Sequence, residues 1–149
     1  MLKKITIYGF ILLIIISCAE NESNESVEIS DMQVSITTMI DREFSINQFE
    51  QAGWKKNKKL DNAIFPNTKE IWYGFFKKRD VEIWIYNSHL NAVSDGTIYA
   101  EKAISKRPTN RDPTNPTSIT YHAYAIVGNT LLLCEDQLSD CMQLINLLE

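Results

Sequence analysis

The spacing of apolar residues changes several times along the chain, and each change marks a candidate element. A mostly apolar run from Ile5 to Ile16 gives way to polar, acidic residues from Ala19 to Ser26. Such a stretch has too little apolar surface to order itself, so residues 18–33 read as a disordered tether ahead of the folded part. Val34, Ile36 and Ile40 then fit neither the helical nor the strand period. At Ser45 the signal sharpens. Ser45 and Gln48 have the spacing of a capping box, and Phe44 and Phe49 that of a hydrophobic staple. Gly53 supplies a left-handed stop. The pattern predicts a helix over 46–52, too short to persist without packing of Phe49, Ala52 and Trp54.

Residues 55–68 are polar, contain Pro66 and read as a loop. The runs Glu70–Phe76 and Val81–Tyr86 are rich in aromatic and β-branched residues and predict an antiparallel hairpin. Pairing Phe76 with Val81 puts Trp72, Gly74, Phe76, Val81, Ile83 and Ile85 on one face, which reads as core. Ile71, Tyr73, Phe75, Glu82, Trp84 and Tyr86 fall on the other, with Tyr73 opposite Trp84. A slip of one residue would scramble this division. Ser88 can cap a second helix carrying Leu90, Ala92, Val93, Tyr99, Ala100, Ala103 and Ile104, with a break or kink at Gly96. Three prolines between 106 and 117 predict an exposed irregular loop.

The second hairpin, Ile119–Val127 and Thr130–Glu135, turns at Gly128-Asn129. Its register sets Ala123 opposite Cys134 and His122 opposite Glu135. Ser139-Asp140 caps a last helix whose Cys141, Leu144, Ile145 and Leu148 share one face. The expectation is a single α+β domain over 34–149 in the order α-β-β-α-β-β-α. Its core would be a four-stranded antiparallel sheet from two hairpins, with helices packed on one face.

The N-terminus adds an address. Lys3 and Lys4 precede the apolar run, which ends Ile15-Ile16-Ser17-Cys18. A charged start, a short apolar run and a small residue at a cleavage point mark a secretory signal. The run holds about a dozen residues where a membrane span needs about 20. The segment Met1–Cys18 resembles the lipobox signal of bacterial lipoproteins, with Ile15 where that family usually has Leu. The resemblance implies cleavage before Cys18 and acylation of that residue, hence an extracytoplasmic protein held on a bacterial membrane. Two or three acyl chains anchor firmly where one gives only marginal binding.

Charge then narrows the partners. The chain has 15 Lys+Arg and 19 Asp+Glu; loss of Lys3 and Lys4 with the signal leaves 13 against 19, a formal charge of −6. Sign and compartment both exclude nucleic acid. Lys55-Lys56, Lys58-Lys59 and Lys77-Lys78-Arg79 are local exceptions. They read either as solvated loops or as a patch facing anionic headgroups or wall polymers.

Candidate chemistry is sparse. In an oxidising compartment Cys134 and Cys141 read as a disulfide that ties the last helix to a strand. A redox pair would favour C-x-x-C at a helix start, and six residues intervene here. The two histidines are far apart and no close-spaced Cys/His pair suggests a metal, so neither metal nor other cofactor is expected. His122 opposite Glu135 reads as a cross-strand charge pair or, less simply, as an acid–base pair. Asp80, Glu82, Asp95 and Glu101 offer carboxylates for sugar chemistry, but their spacing selects none. No nucleophile elbow and no phosphate loop occur.

The best candidate is the aromatic face Tyr73, Phe75, Glu82, Trp84 and Tyr86, as a platform for a sugar ring or a partner protein unless a helix covers it. The leading functional reading is therefore a lipid-anchored binding module without catalysis, its partner a small ligand or another envelope protein. A structural envelope lipoprotein and an enzyme acting on wall or sugar polymers are the alternatives.

Overall fold

A computed structural model of the chain describes residues 33–105 and 119–148. The signal segment, Cys18, the acidic tether and the proline-rich loop lie outside the described residues.

The architecture corrects the four-stranded expectation. Six strands form one mixed sheet: β1 (Ser35–Thr38), β2 (Lys55–Leu60), β3 (Thr68–Phe76), β4 (Arg79–Tyr86), β5 (Ala123–Val127) and β6 (Thr130–Cys134). Their spatial order is β1-β5-β6-β4-β3-β2. The two predicted hairpins join through β4 and β6, with Val81 paired to Cys134 and Ile85 to Thr130. Two further strands extend the sheet. β1 pairs parallel with β5, setting Ser35 beside Tyr124. β2 pairs antiparallel with β3 and forms the far edge. β2 hides as a loop in the sequence because Lys55-Lys56-Asn57-Lys58-Lys59 shows no apolar alternation. Its residues through Lys59 are all exposed. An edge strand can be wholly polar, and lysines there deter pairing with another chain.

The second hairpin has the expected register, Val127 with Thr130 and Ala123 with Cys134. The first differs. Phe76 pairs with Arg79, not Val81, so Tyr73 faces Glu82 and Ile71 faces Trp84. The turn is only Lys77-Lys78, with φ of 48° and 68°. Two left-handed residues are what a two-residue turn of type I′ requires. The shift is two residues, an even number, so the division of the strands into two faces survives.

Helices cover both faces of the sheet rather than one. On the first lie α1 (Ile46–Gln51) and α4 (Leu138–Ile145). They bury Phe49, Leu138, Cys141, Leu144 and Ile145 against Val81, Ile83, Ala125 and Leu132. The predicted staple and box are present at α1. The rings of Phe44 and Phe49 are 6.0 Å apart, the Ser45 N–H donates to Gln48 Oε1 at 2.9 Å, and Gly53 has φ +94°. α4 begins earlier than expected. Gln137 is its N-cap, and Asp140 accepts from the Gln137 N–H at 3.4 Å. The earlier start brings Leu138 into the core, where it is 2% exposed. Cys134 and Cys141 lie at disulfide distance, with Cα atoms 5.9 Å apart.

On the second face a continuous helical segment runs from His89 to Ser105. It consists of α2 (His89–Asn91), a π-helical turn (Ala92–Gly96) and α3 (Thr97–Ser105). Ser88 caps it, accepting from the Asn91 N–H at 3.2 Å. Gly96 does not break it. A Cβ there would sit 3.3 Å from the Tyr86 ring, so glycine lets the helix approach the sheet closely. The π turn absorbs one extra residue at this crossing. Ala92 and Ala100 pack there on Tyr86, Trp84, Ile126 and Leu131.

Candidate functional site

The second face is covered unevenly, and a site results. Close contact at Gly96 seals one end of the helix onto Tyr86, which is 0% exposed. Farther along α3, Tyr99, Lys102 and Ala103 fall on one side of the helix by their i, i+3, i+4 spacing. Ala103 is too small to fill the space between helix and sheet. A cavity of about 430 Å³ remains there. Its floor is Glu82 and Trp84 of β4 with Leu133 of β6. Its walls are Tyr99, Lys102 and Ala103, Phe65 and Ile64 of the β2–β3 loop, and Ile119 and Tyr121 ahead of β5.

One side is aromatic. The Phe65 ring stands edge-on to Trp84 at 4.6 Å and to Tyr99 at 4.9 Å. Trp84 stacks near Tyr99 at 5.8 Å and near Tyr86 at 6.4 Å. Edge-to-face and offset contacts at such distances fix ring orientation. The polar end is Glu82. Its carboxylate accepts from Trp84 Nε1 at 2.6 Å and from the Tyr121 hydroxyl at 2.9 Å. Burial, and next the charge of Glu82, push the Tyr121 hydroxyl well above its ordinary pKa. Tyr121 therefore remains a protonated donor at any physiological pH. The pocket presents apolar ring surface beside a carboxylate with charge-assisted bonds on both oxygens.

The five residues of the predicted platform separate. Glu82 and Trp84 line the pocket, and Tyr86 is sealed beneath the helix. Tyr73 and Phe75 lie nearer the β2 edge, half-buried, their rings 5.1 Å apart. Tyr73 donates to the Asp80 carboxylate at 2.7 Å. Burial, and then that hydrogen bond, push its pKa up to about 12. Phe65, Tyr99, Lys102, Ala103 and Tyr121 also line the pocket, and sequence reasoning assigned none of them to a site. Tyr99 and Ala103 were visible only as members of a helical stripe, and Phe65 sits in a loop without periodicity.

The other candidates do not gather. Asp95 accepts from Asn67 Nδ2 at 2.8 Å, and Glu101 is exposed on α3. His122 contacts the main-chain carbonyl of Glu135, not its carboxylate. That carboxylate instead accepts the Asp80 N–H at 2.9 Å. His89 Nδ1 lies 2.7 Å from the Gly128 carbonyl, which requires the proton on Nδ1. Among the described residues no three His, Cys, Asp or Glu come together as metal ligands. Among them, too, no helix is long and apolar enough to cross a membrane.

A family model described as a family of unknown function (DUF6810) matches residues 45–112. The match includes Phe65, Glu82, Trp84, Tyr99, Lys102 and Ala103 of the pocket and stops short of Tyr121 and Leu133. No curated protein and no solved structure matches the chain.

Proposed function

We propose that the protein is an extracytoplasmic lipoprotein, anchored to a bacterial membrane by acyl chains on Cys18, whose domain binds a small ring-bearing ligand without transforming it. The observation that supports the binding reading is the open aromatic pocket. A cavity of about 430 Å³ lined by Phe65, Trp84 and Tyr99, with Glu82 and Tyr121 at one end, has the size and the apolar-with-few-polar makeup of a ligand site. A sugar ring suits it: its C–H surface packs on aromatic walls while its hydroxyls donate to Glu82. The absence of catalysis is part of the proposal. Among the described residues neither histidine lines the pocket, and Glu82 is the one carboxylate that does.

Titration of tryptophan fluorescence with monosaccharides, disaccharides and aromatic acids tests the pocket. A saturable change is expected for the wild type, and none for Ala103→Phe, which fills the cavity. Equal responses from the two proteins would refute the assignment. The anchor has a separate test. Labelled palmitate is expected to enter the wild-type protein and to be absent from Cys18→Ala, and incorporation into the variant would end the lipoprotein reading.

A further inference from the structure

Charge is distributed unevenly over the domain. Of the ten Lys and Arg among the described residues, eight lie between positions 55 and 79, against two acidic residues in that span. They collect on the β2 edge and at the neighbouring β3–β4 turn. A register shift between Lys56 and Lys58 distributes the edge lysines over both faces. Lys56 and Lys59 lie on the first face, their ammonium groups 5.0 and 5.5 Å from the centre of the Trp72 ring. Lys55 and Lys58 pair with Phe75 and Tyr73 on the second. Nearby carboxylates offset part of this charge: Glu50 sits 2.8 Å from Lys56, Glu70 3.9 Å from Lys59, and Asp136 3.2 Å from Arg79 at the turn. The result is an exposed cationic edge over half-buried Trp72, Tyr73 and Phe75 on a chain whose total charge is negative.

We propose that this edge docks on the anionic phospholipid headgroups of the membrane to which Cys18 tethers the domain. The inference rests on the lipid-anchored reading for its occupant. Lysines close to an anionic leaflet are drawn to it, and Trp and Tyr favour the headgroup level. The tether keeps that surface at high effective concentration. It is also long enough. β1, where the tether joins, is at the opposite edge of the six-stranded sheet, about 24 Å away at about 4.8 Å per strand spacing. The chain from Cys18 to Gln33 can span about 50 Å when extended. Docking would hold the domain edge-down.

The test uses the intact acylated protein on neutral phosphatidylcholine vesicles and on vesicles that also contain phosphatidylglycerol. Amine labelling is read by mass spectrometry at Lys55, Lys56, Lys58 and Lys59, with Lys102 as the internal reference. The four edge lysines are expected to react about five- to ten-fold more slowly on anionic vesicles, with recovery in high salt. Replacing all four by Gln should weaken the preference for anionic vesicles several-fold. Equal labelling on both vesicle types would overturn the proposal. So would protection by soluble poly(glycerol phosphate) on neutral vesicles without protection by anionic lipid, since the edge would then bind a wall polymer. Flotation with neutral vesicles reports the acyl anchor alone. A chain that floats only with anionic vesicles would end the anchor reading and uphold the edge.

Discussion

Asn129 joins three segments through one buried side chain. Its Oδ1 accepts the Phe44 N–H at 2.6 Å, and its Nδ2 donates to the carbonyls of Tyr86 at 3.1 Å and Phe44 at 3.3 Å. The sequence shows Asn129 as a turn residue, and so it is, but nothing local announces that it also fixes the chain ahead of α1. Asn129→Ala strands a buried donor and is expected to lower stability by about 2–3 kcal/mol in urea unfolding. A loss below about 0.5 kcal/mol would contradict that role. Tyr73 offers a pH test. Its pKa is raised from 10 to about 12 in the folded state, so the fold holds this proton more tightly than the unfolded chain does. The associated stability is complete below pH 10 and is lost as pH rises through about 12. Unfolding midpoints across that window should fall less steeply for Tyr73→Phe than for the wild type.

Elements differ in how far local sequence specifies them. A capping box and staple made α1 legible, a helical stripe made α4 legible although its cap is Gln137 rather than the expected Ser139, and Gly128-Asn129 marked the second turn. The Lys77-Lys78 turn was not legible, because lysine carries no sign of left-handed backbone and the strands impose it. β1 and β2 were missed for different reasons. β1 forms through a parallel pairing with residues about ninety positions away, and no local periodicity encodes such a partner. β2 is determined by what it covers. Gly74 of β3 leaves room for it, since a Cβ there would lie 2.3 Å from the Lys55 carbonyl and 2.5 Å from the Trp54 ring. Gly74→Ala is therefore expected to destabilise by about 2–3 kcal/mol and to speed amide exchange in β2 ahead of β4. Uniform exchange across the sheet would argue against this view of the edge. The cysteine pair closes a short loop between β6 and α4. Replacing both by Ala should lower stability by about 2–3 kcal/mol. Thiol counting on denatured, unreduced mature protein should find none free.

At the scale of the molecule, the aromatic residues of β4 could be assigned to a face but not to a role. The faces were readable from alternation. What stood over them was not, because helices on both sides make each face partly core. Long-range packing then divides one aromatic stripe into a sealed end at Tyr86, a pocket at Trp84 and an open edge at Tyr73. The same packing gives the molecule two distinct surfaces, an aromatic pocket beneath α3 and a cationic edge at β2. In the proposed account the first takes a ligand and the second faces the membrane.

The pocket assignment is tested most directly by the indole N–H resonance of Trp84, whose proton already points at Glu82. A sugar ligand that binds is expected to move this resonance together with the amides of Tyr99 and Ala103, saturably, in the wild type and not in Ala103→Phe. Shifts confined to other surfaces, or identical shifts in the filled variant, would contradict the account.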